Sequence, residues 1–173
     1  MRKMGWMIVA LALAGCGTGT TSVTGSDNVG TSGVGTSGAG TRAAFSSPTG
    51  LDVVPLSIVS GGRTHRFQVE VARTEAQQSR GLMYRERLAP DRGMIFPFSA
   101  PRAASFWMRN TPSSLDLIFI GTDGRIESIG ADAVPLSEAH IDSQGVVASV
   151  LEIASGRAAE LGLKAGDRVE WGG

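Results

Sequence analysis

From Leu51 onward apolar and polar positions alternate in short runs, whereas before about Ala44 the chain has no such period. Val53 to Val59 and His65 to Ala72 are two β-rich runs joined by Ser60-Gly61-Gly62-Arg63, with Phe67, Val69 and Val71 alternating with polar neighbours. Residues two apart lie on one side of a strand, so this pattern predicts a hairpin with one buried face. Thr74 stands three residues before Gln77, a capping-box spacing, and predicts a short helix from Glu75 to about Tyr84 with Gly81 inside it. Arg85 to Pro101 reads as irregular apart from Gly93-Met94-Ile95-Phe96, an apolar strand stopped by Pro97. Phe106 to Met108 and Leu115 to Ile120 predict two more strands, the second apolar enough throughout to lie centrally. Thr122-Asp123-Gly124 turns the chain into Arg125 to Gly130, and Val146 to Ile153 is a further strand. Ser155 is placed to cap a brief helix to Leu161 that ends at a left-handed Gly162, and Arg168 to Trp171 forms the last strand. The expected fold is mainly β, a single-domain β-sandwich or partly closed barrel of about seven or eight short strands with two short helices. The helices are too few to cover both faces of a parallel sheet.

The aperiodic N-terminal part has a different logic. Met1 to Lys3 is basic, Met4 to Leu13 is apolar, and Leu13-Ala14-Gly15-Cys16 closes the stretch, which together are the parts of a secretory signal. The apolar run is about half of the roughly 20 residues needed to span a bilayer. Its last four residues resemble the lipobox of bacterial lipoproteins. That resemblance implies cleavage between Gly15 and Cys16, with acyl chains such as palmitate on Cys16 as the membrane anchor. One acyl chain binds marginally and two or three bind stably, at about 0.8 kcal/mol per buried methylene. Gly17 in place of Asp favours sorting to the outer membrane over retention at the inner one, on the periplasmic side.

From Gly17 to about Ala44 the chain is Gly, Ser, Thr and other small residues, including the near-repeat at Gly30 to Gly40. Such a segment buries too little apolar surface to offset its backbone entropy and is expected to act as a flexible leash. A random coil of this length reaches about 30 Å. The expected organisation is a signal peptide at 1–15, lipidated Cys16 and linker over 16–44, and a folded domain over 45–173.

Charge and cysteine content narrow the options further. Sixteen basic residues balance sixteen acidic ones, and loss of Arg2 and Lys3 with the signal leaves the mature chain mildly acidic. A nucleic-acid partner, which needs a basic face, is therefore not expected. Cys16 is the one cysteine, which excludes an internal disulfide and cysteine-type zinc sites.

Three blocks carry a family resemblance. They are Val69-Glu70-Val71-Ala72-Arg73-Thr74-Glu75 running into Gly81-Leu82-Met83-Tyr84-Arg85, then Arg92-Gly93-Met94-Ile95-Phe96, then Phe106-Trp107-Met108-Arg109-Asn110-Thr111 followed by Leu115-Asp116. Val150-Leu151-Glu152 with Gly162-Leu163-Lys164-Ala165-Gly166-Asp167 completes the order. Together they resemble domain of unknown function 192 (UPF0127) over about Leu56 to Trp171. The resemblance implies a compact, mostly β fold and no particular activity. Ser113 and Ser114 replace the apolar residue and proline usual ahead of the Leu-Asp pair.

Candidate chemistry concentrates near Trp107. If Phe106 to Met108 is a strand, Trp107 faces opposite to Phe106 and Met108, so one of these bulky groups is placed to border a pocket. An aromatic platform beside Arg109, Asn110 and Asp116, joined by Arg85 and Met83, is what binding a glycan or another small polar ligand requires. The alternative is that Trp107 and Met108 are core while the polar residues tie the loop. Asp116 and Glu152, both expected on strands, are the best pair for hydrolysis by two carboxylates. His140, Asp142, Glu138 and Asp132 are the residues of metal-ligand type, but they are expected in a loop after Pro135, and no metal or other cofactor is expected. The reading favoured is a non-enzymatic, lipid-anchored envelope module that binds a glycan, a small polar ligand or an envelope protein. An envelope hydrolase using Asp116 and Glu152 is the alternative.

Overall fold

The computed structural model describes residues 47–172. The expected signal peptide at 1–15, Cys16 and the expected linker lie outside these residues. Seven strands form one sheet: β1 (Val53–Ser60), β2 (Arg63–Val71), β3 (Arg92–Phe106), β4 (Leu115–Ile120), β5 (Ile126–Ala133), β6 (Ile141–Ala154) and β7 (Arg168–Trp171). Two short helices accompany them, α1 (Glu75–Arg80) and α2 (Arg157–Leu161). The strand order is β5-β4-β6-β3-β2-β1-β7, antiparallel except where β2 pairs with β3. The sheet curls until its two edges touch: Ile126 N–H donates to Asp167 O at 2.8 Å and Val169 N–H to Gly124 O at 2.8 Å. The result is mainly β, a partly closed barrel of one curled sheet, which is one of the two architectures expected.

The hairpin follows from its turn. Gly61 and Gly62 have φ of 55° and 77°, and two successive positive φ values make the turn whose twist matches paired strands. Leu56, Ile58, Phe67, Val69 and Val71 then fall on the concave face with Ile95, Ile118, Leu151 and Ile153. Met94, Phe96, Leu117, Phe119 and Val150 cover the other face, closed by Leu82 and Met108. Full burial of side chains of this size contributes roughly 1.5–3 kcal/mol each. β4 is buried at every position, because apolar layers cover both of its faces.

Several boundaries differ from expectation. α1 stops at Arg80, since Gly81 caps it by donating its N–H to Gln77 O, so Gly81 ends the helix instead of lying within it. The capping box itself is present, with Thr74 and Gln77 each accepting from the other's backbone. β3 starts at Arg92, takes in the residues after Phe96 that were read as irregular and ends at Phe106, so Trp107 and Met108 belong to a loop. Pro97 does not stop it. Pro97 and Pro101 have no N–H, and the β3–β6 ladder instead slips between Pro97 and Arg102. Ser155 does not cap α2; the cap is Gly156, and Ser155 Oγ donates to Asp132. Among the described residues no helix is long and apolar enough to cross a membrane.

Candidate functional site

The prolines of β3 create the site. Because the ladder lapses at 97–102, this segment rises from the sheet as one wall of a cleft of about 830 Å³, and α1 with the turn after it forms the opposite wall. Gln78 holds the walls in register by donating to Ala72 O at 3.1 Å and Pro97 O at 2.8 Å. Phe96, Phe98, Phe106 and Trp107 supply apolar surface, and Arg73, Arg80, Arg102 and Arg109 supply cations. The Arg102 guanidinium lies 4.2 Å from the centre of the Phe98 ring and that of Arg109 5.6 Å from the Trp107 ring. A cation over a ring face is attracted to it, which favours these positions for the two guanidinium groups. His140 Nδ1 lies 2.7 Å from Ser105 Oγ at the same rim.

Glu152 lines this cleft from the central strand β6. It is 5% exposed, and its carboxyl has no side-chain hydrogen bond among the described residues. Burial pushes its pKa up to about 8, against the opposing charge of Arg85. At neutral pH it is therefore mostly a protonated acid, able to donate a hydrogen bond. Gly93 on β3 makes its position possible. A Cβ there would sit 2.6 Å from Glu152 O, so only glycine permits the two strands to pair at this point.

The residues expected around Trp107 divide between different places. Trp107, Arg109 and Met83 line the cleft, and Trp107 is 43% exposed, so it is neither core nor strand. Asn110 does not line it. Its φ is 54°, its carbonyl accepts Tyr84 N–H at 2.8 Å, and its amide donates to Met83 Sδ at 3.8 Å, so it shapes the loop that carries Met83. Arg85 points elsewhere, forking onto Glu70 with N–O distances of 2.5 and 2.8 Å. Asp116 is fully buried and accepts three backbone N–H groups, from Asp132 at 3.0 Å, Gly156 at 3.2 Å and Ala158 at 2.8 Å. Two of these donors, Gly156 N–H and Ala158 N–H, lie at the start of α2, where Ser155 was expected to supply the acceptor.

Asp116 and Glu152 do not form a pair. Asp116 is opposite Ile153 and Leu117 is opposite Glu152, and residues opposite each other share a face. The two carboxyl groups therefore lie on opposite sides of the sheet, and hydrolysis by this pair has no geometric basis. Asp132 and Asp142 lie on strands, not in the expected loop, and among the described residues no three His, Asp or Glu side chains gather as a metal site. Arg80, Arg102, Phe98 and Gln78 escape sequence reasoning. Their signal was the Pro97–Pro101 spacing inside a β-rich stretch, which marks a bulge as readily as a strand end.

The architecture defines a curled β domain with one aromatic cleft rimmed by arginines. Residues 56–171 match the family described as Uncharacterized ACR, COG1430 (DUF192), and the chain belongs to that family. It is similar to a crystal structure of a protein of unknown function from Novosphingobium aromaticivorans DSM 12444, at 44% identity and a TM-score of 0.73. That match covers 80% of this chain and 100% of the other. A Sinorhizobium meliloti 1021 structure described as a "putative transcription regulator" is also 44% identical, with a TM-score of 0.68 over 70% of this chain and 95% of the other. No curated protein matches.

Proposed function

We propose that this chain is a lipid-anchored cell-envelope protein whose domain binds a polar, ring-bearing ligand, a glycan foremost, in the cleft beside Trp107. The observation that carries the binding role is Trp107 standing half exposed at the wall of the cleft into which the buried, unpartnered Glu152 points. An aromatic face packs on the C–H face of a sugar while polar groups fix its hydroxyls, the usual division of labour in such sites. A panel of glycans titrated against the purified chain, followed by calorimetry, tests this. Saturable binding that Trp107→Ala weakens supports it, and binding indifferent to Trp107→Ala overturns it.

The anchor rests on the Leu13-Ala14-Gly15-Cys16 segment. A leash of about 30 residues would let the domain sample roughly 30 Å from a membrane, outer more than inner, on its periplasmic side. Cys16→Ser is expected to yield a full-length precursor without lipid. Incorporation of labelled palmitate into that variant, or its normal cleavage, would sink the anchor.

A further inference from the structure

The charge of the cleft is lopsided. Four arginines line it against two carboxyl groups, Glu75 and Glu152. Arg73 has Asp52 at 3.8 Å and Arg109 has Glu138 at 3.7 Å, both near the limit of an ion pair and both exposed. Arg80 and Arg102 are exposed and have no acidic partner among the described residues. The Arg102 guanidinium also lies over the Phe98 ring, 4.2 Å from its centre, and a guanidinium fork is the shape that matches a planar carboxylate. Below them, Phe96, Phe106 and Trp107 offer apolar faces and Glu152 offers a polar atom at the floor.

Resting on the binding reading above, we infer that the cleft selects an acidic glycan, a sugar chain whose rings bear carboxylates. The ligand carboxylate is held by Arg80 and Arg102, its ring lies against Trp107, and Glu152 hydrogen-bonds a ligand oxygen from the floor. A neutral sugar would leave both guanidinium groups unused. An ionised Glu152 would repel the ligand, whereas a protonated one donates to it, so the ligand and the proton on Glu152 are held together. The charged or titratable groups around Glu152 are Arg85 from the turn after α1, Glu70 two strands away, Arg73, Glu75 and Arg80 around α1, Arg102 and Arg109, and His140. Of these, the carboxyl that burial raises is Glu152 itself, with its pKa near 8. Affinity for the acidic ligand is thus expected to fall as pH rises through about 8.

The test titrates the purified chain with oligogalacturonate and with the neutral galactose oligomer of equal length, at pH 6.5 and 9. Oligogalacturonate is expected to bind at least about tenfold more tightly, and the Arg80→Ala/Arg102→Ala variant, altered only at exposed positions, to lose that preference. Glu152→Gln keeps a donor at the floor and is expected to bind at both pH values, flattening the pH response. Equal binding of the two oligomers in the cleft overturns this inference and leaves the glycan reading standing. Preference for a phosphorylated sugar over the uronate overturns the carboxylate assignment, and no binding by either oligomer at millimolar concentration overturns both readings.

Discussion

Glu70 and Glu152 stand in one row across one face of the sheet, with Met94 of β3 between them, yet they are treated in opposite ways. Their strands are two apart, so their backbones are separated by roughly 10 Å. Glu70 is pushed up by burial, but hydrogen bonds from Arg85, Ser47 and Thr49 and the Arg85 charge outweigh that and hold it below its ordinary value of 4.5. Glu152 is buried more completely and receives only the distant charge of Arg85, so burial prevails and the pKa rises to about 8. The comparison separates two uses of a buried acid. Where each oxygen is met by a donor the carboxylate fastens structure, and where neither is met the acid is left available to something outside the chain. Asp116, with three backbone donors, belongs with Glu70.

The most damaging way to break the contrast is to remove the partner of Glu70. Arg85→Met is expected to cost about 3–5 kcal/mol in urea unfolding at pH 7, because it leaves a buried carboxylate unpaired. It should also raise Glu152 further, since the Arg85 charge is what opposes burial there. Unchanged stability in this variant would place Glu70 in water and dissolve the comparison.

The pH dependence sharpens it. Glu70 has a lowered folded pKa, so the unfolded chain binds more protons, and its contribution, present above about 4.5, is lost as pH falls through the folded value. Glu152 has a raised folded pKa, so the folded chain holds the extra proton, and stability is lost as pH rises from about 4.5 through about 8. The slope in that window is up to roughly 1.4 kcal/mol per pH unit. Through these two groups stability is expected to peak near pH 5. Glu152→Gln should abolish the decline on the alkaline side and leave the acid limb intact, by urea midpoints taken from pH 3 to 9. An identical alkaline decline in the variant would remove Glu152 from the account.

How much of this could be read from the sequence follows from which forces act locally. Phe67, Val69 and Val71 reveal their face because strand period and burial agree, and Thr74 with Gln77 reveals the cap because both partners lie within one turn. Leu115 to Ile120 shows its place because every residue is buried. The cleft was half legible. Trp107, Arg109 and Met83 were found by residue type, but Asn110, Arg85 and Asp116 looked equally suitable and are consumed by partners 15 to 42 residues away, in a buried ion pair, loop hydrogen bonds and bonds to backbone N–H groups. Pairing of Asp116 with Glu152 failed because strand register, which sets the face, is fixed by contacts between distant segments.

The smallest change tests whether the hydroxyls around Glu70 matter individually. Ser47 and Thr49 both donate to Glu70 Oε2, the latter at 2.8 Å, and thereby fasten the first described residues to β2. Thr49→Val keeps the shape and removes one donor, whereas Thr49→Ser keeps the donor. The valine variant is expected to lose about 1 kcal/mol at pH 7 and the serine variant markedly less. Because the lost bond is to the ionised carboxylate, the deficit should shrink as pH falls through the folded pKa of Glu70, where wild type loses the same charge. A deficit that stays constant from pH 7 to pH 3 would assign the effect to packing of the threonine methyl, and the distinction between Glu70 and Glu152 would then rest on Arg85 and Ser47 alone.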